Sequence, residues 1–162
     1  MCTQVYIGKD VSVDGHAIIA RSCDLSSNKN TISTVLCNPR IENKPGRKIE
    51  AIESKIVYDY PDTTYKCLTT PIVPVTKVGT LTSIGLNEHG FIVTATITAY
   101  NCPEIAEIDP FFEDGICEET LPDYIGKTCK TPKEAIDFVE KTMEEKGNFS
   151  ANSFIVADQK EA

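Results

Sequence analysis

Cys2 is the residue whose type and position could together do chemistry. It directly follows the initiator Met1 in the opening Met1-Cys2-Thr3-Gln4. Removal of Met1 would place a thiol and a free α-amino group on one residue. A thiol becomes a good nucleophile when a base accepts its proton, and an α-amino group titrates near enough to neutral pH to be that base. The sequence therefore predicts a nucleophile and its base in one residue, provided that the mature chain begins at Cys2.

Arg21 and Asp24 are the charged residues predicted to support this chemistry. The β-branched and aromatic residues within residues 3–21, interrupted by an Asp-Gly turn, indicate a hairpin that brings Arg21 back beside Cys2. Arg21 could then stabilise a thiolate or orient a substrate, and Asp24 could accept a hydrogen bond from the α-amine. The spacing alone is weak evidence, because such a pair is commonly a solvated strand end.

The remaining cysteines are expected to be small buried hydrophobic residues. The seven are Cys2, Cys23, Cys37, Cys67, Cys102, Cys117 and Cys129. No two have C-x-x-C spacing, and His16 and His89 have no paired ligand context, so we expect no metal site and no other cofactor. We also expect no disulfide framework, since the sequence shows no secretory signal.

The composition bounds the class of protein. The 162 residues correspond to about one domain, and 41% hydrophobic residues suffice for a core. Asp and Glu number 24 against 16 Lys and Arg, and this net charge of −8 argues against nucleic acid or an anionic membrane as partner. No apolar run approaches the roughly 20 residues of a membrane span. We expect a cytoplasmic protein.

The predicted elements follow the order strands, helices, strand, which is typical of an α+β fold. Strands are predicted at residues 3–7, 17–21, 31–37, 55–60, 80–86, 91–97 and 153–157, and helices at 118–129 and 132–146. Thr131 is the expected N-cap of the second helix, and Gly147 is expected to end it. Residues 38–48 are predicted to be a polar loop, and Pro71 and Pro74 to make their stretch irregular or edge-like.

Short segments along nearly the whole chain resemble one family, in the correct order. They are Cys2-Thr3, Gly8-Lys9-Asp10, Ser12, Asp14-Gly15, Ala20-Arg21, Asp24, Gly85-Leu86-Asn87-Glu88-His89-Gly90, Thr94-Ala95-Thr96, Asp109-Pro110-Phe111, Asp114-Gly115-Ile116, Ala151-Asn152 and residues 157–162. Together they resemble the PepD-type cysteine dipeptidases. These belong to the N-terminal nucleophile hydrolases, together with penicillin V acylases and bile salt hydrolases.

The resemblance implies stacked antiparallel sheets between helical layers (αββα) and hydrolysis of dipeptides through a thioester on Cys2. By position, Cys2 is the nucleophile and Arg21 and Asp24 are the supporting pair. Asn87 and Thr96 lie on a hairpin expected to border the substrate, although Asn87 also suits a plain turn role and Thr96 a packing role. Residues 1–162 are expected to form a single domain that is the N-terminal portion of a longer fold.

Two departures from the family keep other functions open. Ile97 stands where family members often carry an acidic residue, which favours an acyl-amide substrate such as a penicillin or a conjugated bile acid. Family members are also much longer, so the fold is expected to be incomplete. A missing C-terminal half or a second copy of the chain would then cover the exposed sheet. A catalytically silent interaction domain is the remaining alternative.

Overall fold

Antiparallel strand pairing organises the part of the chain that the computed structural model describes, which is residues 2–22, 24, 34–71, 82–97 and 102–162. The strands are β1 (Gln4–Ile7), β2 (Ile18–Arg21), β3 (Leu36–Asn38), β4 (Ile41–Glu42), β5 (Lys48–Glu50), β6 (Val57–Asp59), β7 (Thr63–Thr64), β8 (Cys67–Pro71), β9 (Thr82–Asn87), β10 (Ile92–Thr96) and β11 (Ser153–Ala157). The helices are α1 (Pro103–Ile108), α2 (Leu121–Thr128) and α3 (Pro132–Lys146).

The main sheet has five antiparallel strands in the order β11-β10-β9-β8-β3. Helix α2 packs against β8, β9 and β10, and α3 lies against β11. The most buried side chains lie between this sheet and the helices, and include Phe91, Val93, Ile116, Leu121 and Ile125. Each is large and apolar, so their removal from water supplies the main driving force for this packing.

The hairpin of β1 and β2 forms a separate two-stranded sheet. Gln4 pairs with Arg21 and Ile7 pairs with Ile18, and Gly15 takes the positive φ of 72° that the connecting loop needs. The Gln4 side-chain amide donates to the Ser153 carbonyl of β11 at 3.0 Å. One face of the hairpin therefore points toward the main sheet, since side chains alternate along a strand.

Locally encoded elements were predicted correctly. Both hairpins are present, and β6, α3 and β11 form where the sequence indicates them. The Thr131 hydroxyl accepts from the Glu134 amide at 3.2 Å as the N-cap of α3, and Gly147 follows the helix with φ of 69°. The α+β prediction agrees with the mixed helix and antiparallel-sheet content.

Several element predictions were wrong because pairing partners far along the chain decide the outcome. Strand β8 was not predicted, yet it lies inside the main sheet between β9 and β3, and Pro71 ends it beside a register shift. Helix α1 was also missed, and the loop predicted at 38–48 contains β4. The helix predicted from residue 118 begins at Leu121. Residues 31–33, Pro74 and residues 80–81 lie outside the described residues.

The expectation that six cysteines are buried holds only in part. Cys67, Cys117 and Cys129 are buried, whereas Cys37 and Cys102 are exposed. Cys37 is exposed because it lies on the short edge strand β3. Cys23 lies outside the described residues. The six cysteines that the structure describes are all free thiols.

None of the helices in the described ranges combines the length and the apolar character that crossing a membrane requires.

Candidate active site

Strand register places Arg21 beside Cys2. Arg21 lies directly opposite Gln4, so its diagonal neighbour on the same face, two residues before Gln4, is Cys2. The Arg21 Nη2 atom lies 3.7 Å from the Cys2 Sγ atom. Only 2% of the Arg21 side chain is exposed, and Cys2 is half-buried. A positively charged group therefore lies in contact with the candidate nucleophile.

Ser22 extends the hairpin by one pair of residues and connects it to Asp24. The Ser22 amide donates to the Thr3 carbonyl at 2.9 Å, and the Thr3 amide donates to the Ser22 hydroxyl oxygen at 3.0 Å. The Ser22 hydroxyl in turn donates to the Asp24 Oδ2 atom at 3.3 Å. These contacts fix the backbone next to Cys2 and bring the predicted Asp24 to the same end of the hairpin.

Glu118 is a member of this site that the sequence analysis missed. Its Oε2 atom lies 3.9 Å from the Arg21 Nη2 atom, and its side chain is 10% exposed. The backbone of residues 116–119 is held at both ends. Ile116 exchanges hydrogen bonds with Gly147 and Phe149, and the Glu119 carbonyl accepts from the Thr82 amide at 2.7 Å. Glu118 is thus placed by pairing rather than by the helix to which the sequence assigned it.

Burial raises the pKa of Glu118 to about 7. Repulsion from Glu119 adds to this, attraction to Arg21 opposes it, and Glu53 contributes a further repulsion. The pKa of Glu119 is also raised, again mainly by burial. Near neutral pH the site therefore holds a carboxyl group at Glu118 that is close to half ionised.

Three polar atoms of the site have unsatisfied hydrogen-bonding capacity. Nε and Nη1 of Arg21 and Oε2 of Glu118 are buried, and none has a hydrogen-bond partner among the residues that the structure describes. A buried polar group without a partner costs about 1–3 kcal/mol. Such atoms next to a half-buried thiol indicate a place where another molecule, water or ligand, binds.

Asn87 is placed as a structural residue of the turn between β9 and β10. Its side-chain amide donates to the carbonyls of Gly126 and Cys129 at 2.9 and 2.7 Å. Its Oδ1 atom accepts from the amides of His89 and Phe91 at 3.0 and 3.3 Å. These four bonds agree with a structural role in the turn. Asn87 does not use a positive φ, since Gly90 takes that conformation with φ of 77°.

Thr96 is buried at the end of β10, where it pairs with Ser153 of β11. The carbonyl of Ser153 is the group that receives the Gln4 side chain from the hairpin. Thr96 therefore lies near the contact between the hairpin and the main sheet. The substrate-binding role of Asn87 and Thr96 stays a prediction.

The acidic pair Glu118-Glu119 is the sequence feature from which this part of the site could have been predicted. It stands between the apolar Ile116 and Leu121, and both of its glutamates are buried in the structure. A buried carboxylate is uncommon unless it is paired or functional. In the described ranges, no group of three or more His, Cys, Asp and Glu side chains could hold a metal ion.

Comparison with known proteins gives consistent similarities. The chain is 29% identical over 158 residues to a "Probable dipeptidase B" of Streptococcus pyogenes serotype M1, covering 98% of this chain and 31% of that protein. It is 28% identical over 160 residues to a "Probable dipeptidase B" of Lactococcus lactis subsp. lactis (strain IL1403), covering 99% and 33%. A "Dipeptidase" of Bifidobacterium longum (strain NCC 2705) is 27% identical over 173 residues, covering 99% and 32%.

The chain spans about a third of the length of these relatives. The model of one family, described as Peptidase family C69, matches residues 1–162. The match agrees with the resemblance of the motifs to cysteine dipeptidases. This chain belongs to peptidase family C69.

Proposed function

We propose that the protein is a cysteine dipeptidase whose nucleophile is Cys2. The observation that carries this proposal is the 3.7 Å contact between the Cys2 sulfur and the buried guanidinium of Arg21. The dipeptidase names of the relatives and the membership of family C69 support the substrate class. Removal of Met1 is part of the proposal, because it frees the α-amine of Cys2.

In the proposed first step the Cys2 α-amine takes the thiol proton, and the sulfur forms a bond to the peptide carbonyl carbon. The resulting oxyanion and the attacking thiolate are both stabilised by the positive charge of Arg21. The tetrahedral intermediate then collapses, the C–N bond breaks, and the α-ammonium group returns its proton to the leaving amine. The second amino acid leaves, and the first remains on Cys2 as a thioester.

Water completes the reaction. The free α-amine accepts a proton from the water as its oxygen bonds to the thioester carbon, and the C–S bond then breaks to release the first amino acid. Asp24, which Ser22 holds at the same end of the hairpin, is proposed to orient the α-amine through both steps. This division of labour needs one nucleophile and one base on Cys2, which is the N-terminal nucleophile arrangement.

The arrangement of sheets and helices is consistent with an N-terminal nucleophile mechanism. A two-stranded sheet follows Cys2, and its Gln4 side chain bonds to a larger antiparallel sheet against which α2 and α3 pack. We propose that these are part of the two stacked sheets of an N-terminal nucleophile domain. In the proposed whole, residues 1–162 contribute the nucleophile and its supporting charges, and either further chain or a second copy covers the outer face.

Replacement of Cys2 tests the nucleophile. We expect Cys2→Ala to abolish hydrolysis of alanyl-alanine, measured as release of free alanine. The matched control is Cys37→Ser, which removes an exposed thiol away from Arg21 and should keep wild-type activity. Trapped thioester on residue 2, seen by peptide mass spectrometry after acid quenching, should be present in the control and absent in Cys2→Ala. Dipeptide hydrolysis that survives in Cys2→Ala contradicts the proposal.

A further inference from the structure

The site contains a buried carboxylate that the proposed reaction does not use. Glu118 lies 3.9 Å from Arg21 and has no hydrogen-bond partner on its Oε2 atom among the described residues. About nine-tenths of its side chain is buried, and the rest stays accessible. An ion pair at this distance lacks the direct hydrogen bonds that normally compensate a buried charge. Glu118 therefore has capacity left for a hydrogen-bond donor.

The charges around Glu118 favour a cation as that donor. Arg21 on β2 is the positive group that faces it, while Glu119 and Glu53 add negative charge from its own segment and from the turn before β6. The Cys2 sulfur lies 3.7 Å from the same Arg21 nitrogen and becomes negative when it loses its proton. With all of these groups ionised, one guanidinium faces an excess of negative charge. A second cation would lower the electrostatic energy of the site.

The distances fit the amino end of a peptide. The Cys2 sulfur and the Glu118 carboxylate both lie within van der Waals range of the same nitrogen, Nη2 of Arg21. In a peptide, the α-nitrogen and the first carbonyl carbon are separated by two bonds, or roughly 2.5 Å. Adding about 3 Å for a sulfur approaching the carbon and about 2.8 Å for an ammonium bonded to a carboxylate gives roughly 8 Å along this path. That length is close to the greatest separation of the sulfur and the carboxylate oxygen that their two contacts with Nη2 allow. An additional residue between the two groups would exceed it.

We propose that Glu118 binds the free α-ammonium group of the substrate, so that the site selects peptides with an unblocked amino end and cleaves the bond after the first residue. This inference rests on the proposed function, and it names a residue that sets the specificity of the same site. An acyl-amide substrate has no cation to offer Glu118.

The test compares two substrates in Glu118→Gln, a substitution that keeps the shape and removes the charge. Alanyl-alanine carries the ammonium group, whereas the p-nitrophenyl ester of N-acetylalanine lacks it and acylates a reactive thiol directly. We expect KM for alanyl-alanine to rise about 10- to 100-fold, the loss typical of one hydrogen bond to a charged group. We expect acylation of Cys2 by the ester to keep its rate. The wild-type protein should hydrolyse N-acetyl-alanyl-alanine far more slowly than alanyl-alanine.

Glu144→Gln is the control, because it removes a carboxylate at an exposed position on α3. It should leave KM for alanyl-alanine near the wild-type value. Circular dichroism of each variant, on the full natural polypeptide, checks that the fold is retained. An unchanged KM in Glu118→Gln, or an equal loss with both substrates, overturns the role of Glu118.

The two proposals fail differently. If Cys2→Ala still hydrolyses alanyl-alanine, the nucleophile is wrong and the role of Glu118 falls with it. If Cys2→Ala abolishes both reactions while Glu118→Gln slows both alike, the nucleophile stands and the ammonium-binding role is overturned. If wild-type protein hydrolyses the N-acetylated dipeptide as well as the free one, the site accepts acyl amides, and the ammonium-binding role is again overturned.

The pH profile gives a second readout that a purely structural role would not move. The pKa of Glu118 is raised to about 7, so the carboxylate needed for an ammonium is lost as the pH falls through that value. In the wild-type protein, kcat/KM for alanyl-alanine should fall on the acid side of pH 7. In Glu118→Gln that dependence should disappear, and only the titration of the nucleophile and its base should remain. A profile identical in both proteins counts against the inference.

Discussion

Burial decides the charge of Glu118 before any ligand arrives. The carboxyl group is taken out of water by the backbone pairing of residues 116–119, and Arg21 at 3.9 Å compensates only part of the cost. The result is a pKa raised to about 7. A carboxyl group in this state can gain or lose its proton within the physiological range. A substrate cation that binds at this site would therefore favour the ionised form of the Glu118 carboxyl group.

The same shift predicts how stability depends on pH. Since the pKa of Glu118 is higher in the folded than in the unfolded state, its protonated form favours folding. Its contribution is complete below the ordinary Glu pKa of 4.5 and is lost as the pH rises to about 7. We expect Glu118→Gln to be more stable than wild type at pH 8 by about 1–3 kcal/mol, and about equal at pH 4. Urea denaturation at both values measures this difference.

The control for that measurement is Glu144→Gln, at an exposed position on α3. It should show the same unfolding free energy as wild type at both pH values. If Glu118→Gln is less stable than wild type at pH 8, the carboxylate is a net stabilising group and the reasoning from burial is wrong.

At the scale of single residues, the sequence was sufficient to identify side chains that are reactive or charged by their type. The proximity of Cys2 and Arg21 could be predicted from the sequence, because the strand pattern and the turn are sufficient to define the register of a hairpin. Glu118 could not, since its position depends on pairing between Ile116 and Asn148, which are 32 residues apart. Its acidic neighbour also made the segment resemble the first turn of a helix.

Helix α2 reaches the main sheet through two glycines. Gly85 on β9 and Gly126 on α2 face each other, and a β-carbon on Gly126 would lie 3.1 Å from the Gly85 Cα atom. A β-carbon on Gly85 would lie 2.5 Å from the carbonyl oxygen of Pro122. No side chain fits between these backbones, so the close contact of helix and sheet depends on both positions.

We expect Gly85→Ala to lower the unfolding free energy by about 1–3 kcal/mol, because the new methyl group forces the helix away from the sheet. Thermal or urea unfolding followed by circular dichroism would show it. Gly8→Ala is the control, since its β-carbon would meet only the Tyr6 ring at an ordinary 3.8 Å. Equal stability of the two variants would mean that α2 can shift without cost.

Strands and helices could be predicted from local sequence where the residues that stabilise them are close along the chain. The β9–β10 hairpin and the capped helix α3 are encoded by their turn and cap residues. Strand β8 was missed because Pro71, its last residue, and Pro74 suggested an irregular segment. Pairing with β9 on one side and β3 on the other outweighs that local preference.

The molecule as described presents an apolar outer face on its first hairpin. Val5, Ile7, Ile18 and Ala20 lie on one face by register, and Val5 and Ile18 are 46% and 45% exposed. The opposite face holds Gln4, which bonds to β11, and Arg21, which faces Glu118. A contiguous apolar strand face is typical of a contact surface rather than of solvent.

Substitution of this face should change the surface properties of the 162-residue chain. We expect Val5→Thr combined with Ile18→Thr to reduce binding of the dye ANS and to reduce self-association in size-exclusion chromatography, because both changes keep β-branched side chains and add polarity. Val35→Thr, which alters an exposed apolar residue outside the hairpin, is the control. Unchanged ANS binding in the double variant would show that this face is not a contact surface.

The hydrogen bonds of Asn87 have a consequence for how α2 and the β9–β10 turn unfold. Its amide group holds the last carbonyls of α2 and the amides of the β9–β10 turn at the same time. If the helix end frays, the turn loses the group that orders it, and a loosened turn leaves the helix end without its donors. The two pieces should therefore open as one cooperative unit, with a single barrier, instead of melting one after the other.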